Sequence, residues 1–278
     1  MKKLLFAGGG VIAAALIYFL LRPVFVGEVI LNQDFYLGGF AIKYYGIFFG
    51  SAVLAGYFVV RQNSWRFGLS VEETDKISFW AIISALIAAR LYFVVFERDY
   101  FIANPNEIYQ FWNGGISIYG ALLGGLVFIW VWSRKKIYSV WQVLDLAALA
   151  LPLGQAIGRF GNLFNYEAYG SATNLPWKMF VPEANRVNPA DAFYHPAFLY
   201  EAISNLLIFA LLMYLRGKVK SGQLVLIYLV CYGVTRFALE FIRIDSVFVG
   251  GWRADQIVSI LVILVCVTLF LRPKPNKI

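Results

Sequence analysis

Eight apolar stretches recur along the 278-residue chain, at about 4–25, 44–60, 77–96, 116–133, 138–160, 197–215, 222–242 and 254–271. Each approaches the ~20 residues that a helix needs to cross the hydrocarbon of a bilayer. Lipid offers no partner to backbone N–H and C=O groups, so a chain with such stretches satisfies them within helices. Charged residues make up only 14% of the sequence, where a soluble domain of this length carries about a quarter. The expected fold is an all-α polytopic integral membrane protein of roughly eight transmembrane helices.

Basic clusters set the orientation. Lys2 and Lys3, Arg61 and Arg66, Arg134-Lys135-Lys136, Arg216 with Lys218 and Lys220, and Arg272 with Lys274 and Lys277 fall on one side if every stretch crosses once. The positive-inside rule makes that side the cytoplasm and leaves both termini there. Because the basic residues lie in these short clusters, the net charge of +8 points to membrane topology and not to nucleic acid. The opposite side receives a long segment, 161–196, with Pro176, Pro182, Pro189 and Pro196. That proline density predicts a small extracytoplasmic cap instead of a helix. The first stretch is too long for a signal-peptide core and shows no clear cleavage site, so residues 1–26 read as a retained signal-anchor helix. Residues 27–278 then form one membrane-embedded domain. Cys231 and Cys266 lie inside apolar stretches and read as small buried hydrophobes.

Ionisable residues within the stretches are the functional candidates, since each is costly there unless paired or facing a cavity. Arg90 and Asp145 sit deep, whereas Arg159, His195, Glu201, Arg236, Glu240 and Arg243 fall toward the extracytoplasmic ends. Arg236 and Glu240 are four apart on one helical face and are placed to pair. The fixed cations exceed the nearby carboxylates they could pair with, so Arg159 and Arg236 are read as holding an anionic head group at the interface. Glu240 reads equally as a structural partner. His195, the single histidine, precedes Pro196 and reads either as a loop-bonded structural ring or as a catalytic one. Gly114-Gly115, Gly120 and Gly124-Gly125 read mainly as close helix packing.

The stretch Gly158-Arg159-Phe160-Gly161-Asn162-Leu163-Phe164-Asn165-Tyr166-Glu167, ending in Gly170, resembles the signature of the bacterial prolipoprotein diacylglyceryl transferases. Tyr44-Tyr45-Gly46, Asn113 through Gly125, His195 through Glu201 and Arg236 through Arg243 agree in order and spacing. The resemblance implies transfer of a diacylglyceryl group from phosphatidylglycerol to the lipobox cysteine thiol of a prolipoprotein peptide, with release of glycerol phosphate. It makes Arg159 and Arg236 the phosphate contacts, Asn162 a neutral hydrogen-bond donor and Tyr45 a residue that orients the glycerol. Glu167, Gly170 and Glu240 join them in the substrate-binding set. It implies no metal and no cofactor, and a site in the inner membrane facing outward, among membrane lipids.

Three departures from the family pattern stand out. Tyr119 occupies the place where the family often carries a histidine proposed to take the thiol proton, and Ala121 replaces a usual glycine. A tyrosine with its ordinary pKa of ~10 is a poor base at pH 7 but relays or donates a hydrogen bond, so Tyr119 stays among the catalytic candidates with His195. The helix before residue 26 also looks like an addition to the family's seven-helix plan. A transporter lined by Arg90 and Asp145, or a non-catalytic lipid-binding membrane protein, is the alternative reading.

Overall fold

The computed structural model describes residues 19–111, 114–135 and 138–271. Most of the expected anchor helix lies outside these residues, as do Lys2, Lys3, Lys136, the basic tail and Asn113. Residues 19–25 are helical. A hairpin of β1 (Asp34–Leu37) and β2 (Phe40–Lys43) turns through Gly38-Gly39, both left-handed as a two-residue hairpin turn requires. There follow α1 (Tyr44–Asn63), α2 (Val71–Phe96), the short α3 (Arg98–Ala103), α4 (Ile118–Arg134) and α5 (Val140–Asn165). After an irregular segment come α6 (Ala197–Leu215), α7 (Gln223–Leu239) and α8 (Ala254–Leu271).

Among the described residues, five helical segments are long and apolar enough to cross a membrane: 44–67, 71–96, 140–165, 197–215 and 254–271. Apolar α4 and α7 have 17 residues each. Leu261, Leu264 and Val265 on α8 and Leu123 and Leu126 on α4 are exposed, as lipid-facing side chains must be. The chain is a mostly helical, polytopic membrane protein. Every apolar stretch from residue 44 onward has its helix. α5 runs to Asn165, five residues past the expected end, because Gly161 does not break it. The missing Cβ there instead admits the Tyr45 ring, which a methyl group would meet at 2.8 Å.

Two compact units emerge. One comprises 54–151 and 211–228. Within it Ser70 caps α2 by accepting the Glu73 N–H at 3.2 Å, with Glu72 and Glu73 against the positive end of the helix. Gly120 and Gly124 bring α4 onto α2, where added Cβ atoms would lie 2.5 Å from the Ala88 oxygen and 2.6 Å from the Ser84 oxygen. Those two are the packing glycines expected. Gly125 meets nothing, and Gly115 lies instead at left-handed φ against Arg90.

The two deep ionisable residues are both occupied. Arg90 donates to the carbonyls of Glu107, Ile108, Gly114 and Gly115 at 2.6–2.9 Å, which ties the α3–α4 connection to α2. Asp145, buried, accepts the backbone N–H groups of Gly222 at 2.5 Å and Val225 at 2.9 Å and so caps α7 from another helix. Neither arrangement resembles the lining of a path across a membrane.

The other unit holds the described residues up to Val53, then 152–210 and 229 onward. Its irregular segment 166–196 contains two short antiparallel strands, β3 (Met179–Phe180) and β4 (Phe193–Tyr194). Met179, Val181 and Tyr194 pack with Val24, Leu163, Tyr166, Tyr169 and Phe198, all buried. The Tyr166 hydroxyl accepts the Leu31 N–H at 2.8 Å.

Candidate active site

In this second unit α5, α6, α7 and the start of α8 bring charged side chains together. At the centre is Glu201, on the first turns of α6 and only 2% exposed. Its Oε1 accepts from Arg159 Nη2 of α5 at 2.5 Å, and its Oε2 stands 3.6 Å from Arg236 Nη1 of α7. The Tyr232 hydroxyl, one turn before Arg236, adds a long contact of 3.4 Å. One buried carboxylate thus spaces two guanidinium groups. Burying a carboxylate costs its hydration, and the two guanidinium groups beside it offset that loss.

Arg236 also pairs with Glu240 at 3.8 Å, as their i,i+4 spacing predicts, and donates a hydrogen bond to Asp255 on the first turn of α8. Arg243 stands 3.8 Å from Glu240 and pairs with Asp245. Arg253 donates to the Glu240 and Arg243 carbonyls and to Ser246 Oγ. The expected surplus of cation does not hold. Arg159, Arg236, Arg243 and Arg253 are answered by Glu201, Glu240, Asp245 and Asp255. The expectation failed because Glu201 lies 42 residues from Arg159 and Asp255 19 residues beyond Arg236. Only the helix-spaced partner, Glu240, is visible along the sequence.

Arg159 keeps most of its fork. Besides Glu201, its one described contact is Asn162 Oδ1, at 3.4 Å from Nη1. Asn162 is not a spare donor: its Nδ2 gives a hydrogen bond to Glu167 Oε1 at 2.8 Å, and Asn165 adds another at 3.1 Å. Glu167 reaches back over the helix end because Tyr166 and Ala168, on either side, take left-handed φ of 50° and 54°. Such backbone in non-glycine residues costs of order 1 kcal/mol or more and persists where its surroundings hold it. Asn162 therefore joins Arg159 to Glu167. Tyr45 lies against Gly161, two residues beyond Arg159, with its side chain partly exposed.

Gly170 has a packing role. Its N–H donates to the His195 carbonyl at 2.8 Å, and a Cβ there would sit 3.0 Å from both His195 Cβ and the Ile242 oxygen. Here the loop, the start of α6 and the end of α7 meet. His195 itself belongs to a short relay. Trp177 Nε1, which only donates, gives its proton to the Tyr200 hydroxyl at 2.7 Å, and that oxygen lies 3.2 Å from His195 Nδ1. The hydroxyl oxygen accepts from Trp177 and shares a second hydrogen bond with Nδ1, so the Tyr200 side chain holds the ring in place. Burial pushes the His195 pKa below its ordinary value, so the ring is neutral at pH 7.

Tyr119 lies in the first turn of α4, in the unit formed by 54–151 and 211–228, and is 64% exposed. Its described ring neighbour is Tyr92, with centroids 6.4 Å apart. Of the expected residues, the structure gathers Tyr45, Arg159, Asn162, Glu167, Gly170, His195, Arg236 and Glu240 in one unit. Sequence reasoning singled out Glu201 as an expensive polar residue without giving it a site role. It missed Asp255, whose one signal was an acid in the first turn of a spanning helix.

Residues 33–272 match the family described as prolipoprotein diacylglyceryl transferase. The chain is 40% identical over 255 residues to the phosphatidylglycerol–prolipoprotein diacylglyceryl transferase of Fervidobacterium nodosum, covering 90% of this chain and 87% of that one. It is 42% identical over 230 residues to the enzyme of that name from Gloeobacter violaceus, covering 81% and 86%. With the Thermotoga maritima enzyme it shares 39% identity over 282 residues, covering 98% of this chain and 96% of the relative. That last alignment is too complete to omit the first 26 residues, so the N-terminal segment has a counterpart there.

Proposed function

The chain belongs to the prolipoprotein diacylglyceryl transferase family, and we infer from this that it transfers diacylglycerol from phosphatidylglycerol to a prolipoprotein cysteine. A sulfur–carbon bond forms as the thiol attacks the glycerol carbon that bears phosphate. The carbon–oxygen bond to phosphate breaks, and glycerol phosphate leaves with the electron pair. The thiol proton passes to a base or to the departing phosphate. The acceptor is the lipobox cysteine of a peptide that shares the bilayer with the enzyme and its lipids.

The observation that carries the reading is the pair of guanidinium groups held by one buried carboxylate. Glu201 fixes Arg159 and Arg236 beside each other, so that one phosphate meets both. Charge on that phosphate grows as the ester bond breaks, and guanidinium groups stabilise it without giving up a proton. Asn162 and Glu167 steady Arg159 from the other side, and Tyr45 stands beside them to orient the glycerol. His195, a neutral ring held by Tyr200, serves as a positioned hydrogen-bonding group better than as a base. Tyr119 stays a catalytic candidate on its place in the family motif alone.

The site belongs at the extracytoplasmic face of the bacterial inner membrane, with both termini inside. The basic clusters support that orientation if eight spans are counted, with α4, α7 and the anchor helix among them, and segment 166–196 is read as the cap over the site. The transporter alternative loses its support once Arg90 and Asp145 are engaged with backbone groups. Purified protein in phosphatidylglycerol-containing nanodiscs should move a radiolabelled diacylglyceryl group onto a synthetic lipobox peptide, and not onto its cysteine-to-serine version. A peptide left unlabelled by protein that binds phosphatidylglycerol would overturn the reading.

A further inference from the structure

The three carboxylates around Arg236 differ in kind. Glu201 and Glu240 are 2% and 1% exposed and stand 3.6 and 3.8 Å from its terminal nitrogens. Those distances suit charge pairing but exceed a hydrogen bond. Asp255 is 42% exposed, and its Oδ2 accepts the direct hydrogen bond from Arg236 Nη2. The anion within hydrogen-bond reach is therefore the accessible one. The two buried anions cannot leave without stranding a charge, whereas Asp255 can turn out to the polar surroundings at modest cost.

The segment that carries Asp255 gives it room. The hairpin of β5 (Phe248–Val249) and β6 (Trp252–Arg253) turns through Gly250-Gly251, around which no atom lies within 4 Å of either missing Cβ. Asp255 follows two residues after that hairpin. Ser259 Oγ donates to the Asp255 backbone carbonyl at 2.6 Å, a contact within α8 that leaves the carboxylate uninvolved. A phosphodiester oxygen approaching Nη2 meets a like charge already in place. The two compete, because neighbouring anions at that range repel.

We propose that Asp255 is an exchangeable counter-anion that holds Arg236 until a phosphate takes its place. It returns as glycerol phosphate departs. Glu201 and Glu240 are the permanent part of the network and keep the guanidinium aimed during the exchange. Asp255 is thus a positioning residue that sets affinity for the anionic head group and speeds product release. The inference rests on Arg236 being a phosphate contact.

Full-length protein in nanodiscs, carrying Asp255→Asn, Asp255→Glu or Arg236→Lys, tests it. Removing this partly exposed competing ion pair should lower the KM for phosphatidylglycerol in Asp255→Asn by about two- to fivefold. Inhibition by added glycerol phosphate should tighten in the same direction, and Asp255→Glu should restore the parental KM. A raised or parental KM in Asp255→Asn overturns the exchange, and a raised KM with a lower melting midpoint marks Asp255 as a plain anchor of α8. Parental KM and turnover in Arg236→Lys would instead overturn the phosphate contact itself, so the two failures are read on different variants.

Discussion

Replacing Glu201 with glutamine removes one negative charge and little else, and its cost follows from the contacts. Glu201 is 2% exposed, with Arg159 at 2.5 Å and Arg236 at 3.6 Å on opposite oxygens. Breaking one partner of a buried ion pair costs about 3–5 kcal/mol, because the remaining charge is left uncompensated. Here Arg159 is 23% exposed and Arg236 keeps Glu240 and Asp255, which lowers the expected cost to about 3 kcal/mol. The amide would also point a donor at one of two mutually repelling guanidinium groups. If that loss falls on the aligned state of the two arginines, turnover drops by about a hundredfold, at ~1.4 kcal/mol per factor of ten. Denaturation in mixed detergent micelles reads the first quantity, and transfer of labelled diacylglycerol to a lipobox peptide reads the second. Glu201→Gln with stability within about 0.5 kcal/mol of the parent and undiminished turnover would refute the bridging role.

Arg90→Met should free the α3–α4 connection, since four carbonyls lose their donor. The partly exposed loop rehydrates some of them, so the cost is about 2–3 kcal/mol, with faster limited proteolysis near Glu107 as the readout. Gly124→Val should separate α2 from α4, because its Cβ would lie 2.6 Å from the Ser84 oxygen, and should lower the melting midpoint more than Gly125→Val, which meets nothing. The lowered His195 pKa favours the neutral ring in the fold. That stability is whole above the unfolded pKa of ~6.5 and is lost as pH falls below it toward the folded value, and His195→Asn should remove this acid-side loss from a pH-dependent melting series while retaining measurable turnover.

The helices were legible because lipid imposes length and apolarity on any segment that crosses it. The arginines were legible for the same reason, since charge in such a segment demands a cause. What balances them was not. Arg236 and Glu240 pair across one helical turn, but Glu201 reaches Arg159 from another helix, and Asp255 reaches Arg236 across a hairpin. Helix periodicity carries no information about such pairs. Asn162 shows a subtler limit: its residue type announces a donor, yet only the left-handed turn at Tyr166 and Ala168 reveals that the donor is spent on Glu167.

Arg159→Lys tests the central claim most directly. The lysine keeps the charge and the reach to Glu201 but lacks the fork that holds two phosphate oxygens as the ester bond breaks. Losing a donor that acts on charge formed only in the transition state costs about 2.7–4 kcal/mol, or 10²–10³ in turnover. The account predicts that kcat for diacylglyceryl transfer falls by that factor while the KM for phosphatidylglycerol moves by no more than about threefold. Transfer by Arg159→Lys at close to the parental kcat would contradict it and leave Arg159 as a partner of Glu201 that only packs the helices.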